Sequence, residues 1–263
     1  VKVAISSSSF AHTFAAGEGT QLEWLERCAS ELALDGVVFD AAHFPRTDVE
    51  YVAQLRKIAV DLGLVPVALA SDALFDPTTD DMTRRALVAL AAGLGTLFVL
   101  TRLPLPGDVP PATFVAAVAA AKATAKIAKA ANLTVLIAPQ AGTIGADIAG
   151  VRHFLKDVDS AWMRFALPAQ GLDRAALGGR DRVLLVDVAA TDEPAVIADI
   201  DEGARPWLLA GIDPRGEPFA VARARITALR EAAAEKMMGT STTRAVCKPG
   251  ENLHLAGGCG PGA

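Results

Sequence analysis

The sequence has little cysteine and no concentrated block of positive charge. Its three cysteines are Cys28, inside a helical stretch, and Cys247 and Cys259 near the end. They are too few and too scattered for a disulfide framework, which fits a reducing compartment and a cytoplasmic location. Against 30 acidic residues stand 25 basic ones with no Lys/Arg cluster, for a formal charge of −5 and a pI near 5.4. Such a chain offers no basic face to neutralise phosphates, so nucleic acid is not expected as a partner. Long apolar runs are also missing: Gly, Pro or a charge breaks each one well before the ~20 residues that a membrane span needs, and no membrane association is expected. The chain opens on the strand-like VKVAIS with no secretory apolar segment before it. No Gly-x-Gly-x-x-Gly follows that strand, which counts against an open dinucleotide-binding sheet.

What is present is an alternation of short apolar runs with amphipathic stretches. With 263 residues, 52% of them hydrophobic, the chain can bury one large core. Apolar runs of strand length fall at 1–6, 36–44, 65–71, 96–103, 134–140, 163–169, 182–189 and 207–212. Between them lie helical periods, as at 21–34, where Leu22, Leu25, Ala29 and Leu32 share one face while Glu23, Glu26 and Arg27 share another. Similar periods occupy 48–62 and 219–236, and the Ala-rich stretch 113–132 is a strong helix former. Strands buried on both faces need helical crossovers, so eight such units predict an α/β fold, a closed (β/α)8 barrel, over residues 1–238. Residues 239–263 are rich in Gly, Thr and Pro, follow neither period and read as a flexible or partner-docking tail.

The stretch LEWLERCASELALDGVVFDAAHFPRTDVEYVAQLRKIAVDLGLVPVALA contains a Gly-Val-acid second strand, and AKIAKAANLTVLIAPQAG gives a fifth unit of helix, Asn and strand. Both are similar to the sugar phosphate isomerase/epimerase group of the xylose isomerase-like TIM barrels, from the first strand to the last helix. The resemblance implies acid/base enolisation of a small sugar or polyol. It also implies a divalent metal held by a Glu ending strand five, an Asp ending strand six, a His near strand seven and a Glu on strand eight.

This chain departs from that ligand set at every position. Ala138 stands where the strand-five Glu is expected, with Gln140 two residues on; FALPAQ has no acid; VLLVDVAA has Asp187; and WLLAGID has Asp213 beyond the expected place. A hard cation needs convergent oxygen ligands that Ala and Pro cannot supply, so no cofactor is expected at the usual place. A divalent metal (Mn, Mg, Co or Zn) would need a relocated site built from Asp187 and Asp213, with Asp72 as a further acid, and helix N-capping is the competing role for all three. Asp187 resists that alternative, because it interrupts an apolar strand where an unpaired charge is costly to bury.

The remaining polar groups belong to the strand ends, where barrel enzymes place their chemistry. They are Ser6 to Ser9 and His12 after the first strand, Asp40 and His43 after the second, Ser71 and Asp72 after the third, Arg102 after the fourth, and Gln140. His43 is the candidate base with Asp40 as its orienter, since a carboxylate near an imidazole fixes its tautomer; the alternative is that His43 packs in the loop before Pro45. Arg102, Gln140, Ser71 and Asp72 are candidates for holding substrate oxygens, Arg102 through a bidentate fork, or else as a solvated rim charge. The serine run offers hydroxyls and amides to a sugar or phosphate, or forms a polar loop. In the tail, Cys247, His254 and Cys259 are soft ligand types at a spacing that matches no standard zinc pattern. Leu253 and Leu255 give that segment a means of docking on a partner protein or on a second copy of the barrel. Two functions follow: an isomerase or epimerase, and a non-catalytic barrel that binds a ligand or joins a complex.

Overall fold

The computed structural model describes residues 2–138, 140, 142–146, 148–168, 185–187, 207–211 and 218–245. The strands are β1 (Lys2–Ser6), β2 (Gly36–Asp40), β3 (Val65–Ala70), β4 (Phe98–Arg102), β5 (Thr134–Ala138), β6 (Met163–Phe165), β7 (Leu167–Pro168), β8 (Leu185–Asp187) and β9 (Trp207–Ala210). The described helices are α1 (Ala11–Ala15), α2 (Gln21–Ser30), α3 (Val49–Asp61), α4 (Asp81–Leu94), α5 (Pro111–Ala130), α6 (Ile148–Val158) and α7 (Pro218–Ala245).

The strands form one parallel sheet in the order β6-β5-β4-β3-β2-β1-β9-β8-β7. Its two ends are the two halves of one run of chain. Met163–Phe165 pairs with β5, Leu167–Pro168 pairs with β8, and between them the Ala166 amide donates to the Ile137 carbonyl at 2.9 Å. The sheet therefore curls until a single stave touches both neighbours, which closes a TIM-barrel-like α/β fold of eight staves.

Alternation along the strands divides the apolar residues into two cores. Val3, Ile5, Val37, Phe39, Val99, Val135 and Ile137 join the helices in the outer core. Ala4, Val38, Ala68, Leu100, Leu136, Leu185 and Leu209 fill the lumen, which Trp207 plugs at the end where the strands begin. The Lys2 ammonium lies 5.1 Å from the Trp207 ring centre at that end. Gly36 has to be glycine there, because a Cβ would come within 2.7 Å of the Val65 carbonyl oxygen and 2.8 Å of Trp207.

Local signals fix the helix ends. Thr20 and Glu23 form a reciprocal capping box on α2, Asp48 caps α3, Asp80 caps α4, and Gly95 ends α4 at φ 73°. Helix α7 packs back toward α2 at the seam of the ring. The Arg27 guanidinium sits 3.5 Å from the Phe219 ring centre and forks onto Glu31, and Glu31 also accepts from Arg223 at 3.2 Å. The helix continues past position 239, where the sequence reading began the tail, to Ala245, and no proline stops it before Pro249. Asp213 and the rest of the tail segment, with Cys247, Leu253, His254, Leu255 and Cys259, lie outside the described residues. Among the described residues no helix is long and apolar enough to cross a membrane.

Candidate functional site

Parallel strands all end at one rim, so the barrel gathers Ser6, Asp40, Ala70, Arg102, Ala138, Asp187 and Ala210 around a single mouth. The first polar group is the serine run. Ser6 accepts from the Ser8 amide at 3.2 Å and shares a 2.7 Å hydrogen bond with the Ser8 hydroxyl, capping a 3₁₀ turn over Ser7–Phe10. This run is an ordered turn with Ser7 and Ser9 buried. His12 lies exposed on α1.

Ser7 links this turn to the one after β2. Its hydroxyl oxygen accepts the Asp40 amide at 2.8 Å and lies 3.0 Å from His43 Nδ1. Donation of the Ser7 proton to Nδ1 corresponds to the ring tautomer protonated on Nε2, and acceptance from Nδ1–H to the other. The Phe14 ring stands 5.2 Å from the imidazole, centre to centre. The sequence pairs His43 with the Asp40 carboxylate; in the structure Nδ1 shares its hydrogen bond with Ser7. Asp40 Oδ1 instead accepts the Ala42 amide at 2.9 Å, capping the 3₁₀ turn Ala41–His43.

The second group joins the ends of β3 and β4. Arg102 donates Nε–H to Asp72 Oδ1 at 2.9 Å and Nη2–H to Oδ2, and its backbone amide points to Oδ1 at 3.4 Å. The two side chains are about half exposed, 53% and 47%. The Asp72 hydrogen bond holds the guanidinium pKa above its ordinary value against partial burial, and the charges of Asp72 and Asp40 act in the same direction. Ser71 donates its amide to the Leu100 carbonyl at 2.9 Å, and its side chain does not cap the turn Asp72–Leu74. Capping, one role considered for Asp72, therefore gives way to the fork with Arg102.

Arg84, absent from the sequence candidates, secures this loop from beneath. It is 5% exposed and donates to the carbonyls of Leu74 at 3.3 Å and Asp76 at 2.8 Å, and the Thr124 hydroxyl reaches the same Leu74 carbonyl at 2.6 Å. Gln140 completes the described polar rim. Its carbonyl accepts the Thr143 hydroxyl at 2.8 Å, while its side-chain Oε1 is buried with no hydrogen-bond partner among the described residues.

Three of the four strands that would hold the implied metal place apolar side chains against the lumen. Ala138 on β5, Ala166 in the shared stave and Leu209 on β9 belong to the lumen cluster. Among the described residues no group of three or more His, Cys, Asp or Glu could hold an ion. Asp187 ends β8 with its backbone paired to Pro168 and Leu209, and its side chain lies outside the described residues. The described residues thus do not fit a hard divalent cation, which takes about six oxygen ligands.

No family model matches the chain, and no curated protein matches it in sequence. In three dimensions the chain is similar to solved α/β barrels along almost their whole length. A xylose isomerase domain protein from Alicyclobacillus acidocaldarius superposes with a TM-score of 0.66 at 13% identity, covering 89% of this chain and 98% of that one. A D-psicose 3-epimerase solved in the presence of D-fructose gives 0.62 at 14% identity, covering 92% and 99%. A probable 3-DHS dehydratase involved in petrobactin synthesis from Bacillus anthracis gives 0.69 at 11% identity, covering 88% and 99%. The class is thus a TIM-barrel-like α/β protein. Within it, the fold is similar to that of a xylose isomerase domain protein and of a D-psicose 3-epimerase.

Proposed function

We propose that the chain is an isomerase or epimerase of a small polyhydroxy substrate that works by acid/base enolisation at the barrel mouth. The observation that carries this reading is the buried Ser7 hydroxyl between the Asp40 amide and His43 Nδ1, which orients a partly exposed imidazole; in our reading Ser7 donates to Nδ1 and the ring proton sits on Nε2. His43 Nε2–H hydrogen-bonds the substrate carbonyl oxygen and stabilises it as it gains enolate charge. The Asp40 carboxylate keeps Oδ1 on its cap and uses Oδ2 to take the proton from the carbon beside the carbonyl. Returning that proton to the neighbouring carbon, while His43 Nε2–H protonates the former carbonyl oxygen and Nε2 takes the proton of the neighbouring hydroxyl, gives the aldose or ketose isomer; a proton from water on the opposite face of the same enediol gives the epimer, the Asp40 proton leaving to solvent. Ser71 and the Arg102–Asp72 pair line the same rim and hold substrate hydroxyls. Similarity to an epimerase barrel supports the reaction class.

The test follows exchange of substrate protons by NMR in D2O across a panel of ketoses and aldoses, which reports enolisation whatever the product. The wild type washes deuterium into one of them with EDTA present. His43→Ala and Asp40→Asn each lose about 10²-fold or more in exchange while remaining folded, His43→Ala at a stability cost of about 1 kcal/mol for the lost Ser7 bond. Full exchange in His43→Ala overturns the assignment. The apolar wall of Ala138, Ala166 and Leu209 favours a second reading, a barrel that binds without turning over. That reading prevails where a polyol shifts the melt of the wild type but exchanges no proton.

A further inference from the structure

We infer that Asp72 is a specificity-determining residue: by occupying Arg102 it closes the mouth to phosphorylated and carboxylated compounds and reserves it for uncharged polyols. The inference rests on the reading of the mouth as a polyol site and narrows its substrate class. Among the described residues Arg102 is the basic residue that ends a strand with its side chain at the rim, so it is the natural seat for an anionic substrate group. Asp72 already lies on the edge that an anion would use, taking Nε–H and Nη2–H in a fork and facing the Arg102 amide as well. The loop bearing Asp72 cannot easily swing away, because the buried Arg84 and the Thr124 hydroxyl hold the Leu74 and Asp76 carbonyls that follow it. A phosphate approaching Arg102 would meet the Asp72 carboxylate in its own place. It would also meet the charge of Asp40 at the end of β2, two strands and about 10 Å away.

Outside the fork, the described part of the rim offers hydrogen-bond acceptors. Asp40 accepts one described hydrogen bond through Oδ1 and has Oδ2 besides, and the Ser71 hydroxyl oxygen follows the end of β3. Hydroxyl groups supply donors to such acceptors and bring no charge, and the N–H groups of Arg102 outside the fork can return a bond to a hydroxyl oxygen.

The experiment titrates inorganic phosphate at low ionic strength and pH 8 into the wild type, Asp72→Asn and Asp72→Asn/Arg102→Gln, by calorimetry with a parallel melt of each variant. Asp72→Asn is expected to bind phosphate about tenfold more tightly than the wild type, the effect of removing one like charge at contact distance. The double variant is expected to lose that gain. Equal phosphate binding by wild type and Asp72→Asn, or a gain that survives loss of Arg102, overturns the inference. A second titration needs no variant: the wild type receives a ketohexose and its 6-phosphate, and a phosphate ester that binds more tightly than its parent sugar also overturns it. Should Asp72→Asn gain phosphate while the wild type binds no polyol at all, the enzyme reading fails and the role of Asp72 in excluding anions stands.

Discussion

Ser7→Ala removes one oxygen, and its cost can be worked out from the two hydrogen bonds that the oxygen makes. The Asp40 amide at 2.8 Å loses its acceptor at a site where Ser7 is 0% exposed. An unsatisfied buried amide costs about 1–3 kcal/mol. The bond to His43 Nδ1 at 3.0 Å is lost as well, worth about 1 kcal/mol for a neutral pair. Urea denaturation should therefore show a loss of about 2–4 kcal/mol with an unchanged m-value. Stability alone does not isolate the role in positioning the ring, so the second readout is the ¹⁵N shifts of the His43 ring at a pH where it is neutral. In the wild type these should report the proton on Nε2, and in Ser7→Ala a mixture of tautomers. Ser7→Thr retains the hydroxyl and should restore the Nε2–H tautomer even where its extra methyl lowers stability. A loss under about 0.5 kcal/mol together with an unaltered tautomer would refute the derivation.

Gly36→Ala should destabilise the barrel by about 1–3 kcal/mol or more in urea, since the Val65 carbonyl 2.7 Å from the new Cβ is part of the strand pair and cannot withdraw; a change within about 0.5 kcal/mol would contradict this packing. Burial pushes the Cys28 thiol well above its ordinary range, so peptide mapping after iodoacetamide at pH 8 should find Cys28 unmodified in the native protein and alkylated once unfolded. The capping carboxyls Glu23 and Asp80 are held below their ordinary values, Glu23 by the backbone and side-chain hydrogen bonds of Thr20 and Asp80 by those of Thr83. Because their folded values are depressed, the stability they add is present above the ordinary carboxylate range and disappears as pH falls through the folded values. The urea midpoint should accordingly drop on going from pH 5 to pH 3, and Glu23→Gln should flatten part of that drop.

The strands were legible because a sheet covered on both faces writes itself as bare apolar runs: the run at 36–44 contains β2, and 134–140 contains β5, each extended past the last paired residue by loop residues of similar character. The run at 163–169 was found as one strand, but nothing in it says that its first half pairs with β5 and its second with β8, since that division follows from the curl of the whole sheet. His43, Asp72 and Arg102 were recognisable by residue type and by their places at strand ends. Their partners were not. Ser7 differs in no sequence property from Ser6, Ser8 or Ser9, and it meets His43 only because two neighbouring strands deliver their turns side by side. Likewise the Asp72–Arg102 fork spans two strands with no periodic relation between them, and Arg84 reads as an ordinary charge in the first turn of a helix until the loop folds over it.

The ring also sets an order on assembly. β1 pairs with β9, Lys2 opposite Trp207 and Ile5 opposite Ala210, so the barrel cannot shut until the far end of the chain has been synthesised. The linked side chains of the mouth have no such wait. Ser7, Asp40, His43, Asp72 and Arg102 all lie on the first four strands and the turns that follow them, and each hydrogen bond described among them is made within that half. On a ribosome releasing the chain from its N-terminus, this linked half of the mouth can be in place while the lumen beneath it is still an open trough lined by Ala4, Val38, Ala68 and Leu100. For that interval this hydrogen-bonded set lies beside an uncovered apolar surface, until β9 brings Trp207 and Leu209 to cover it.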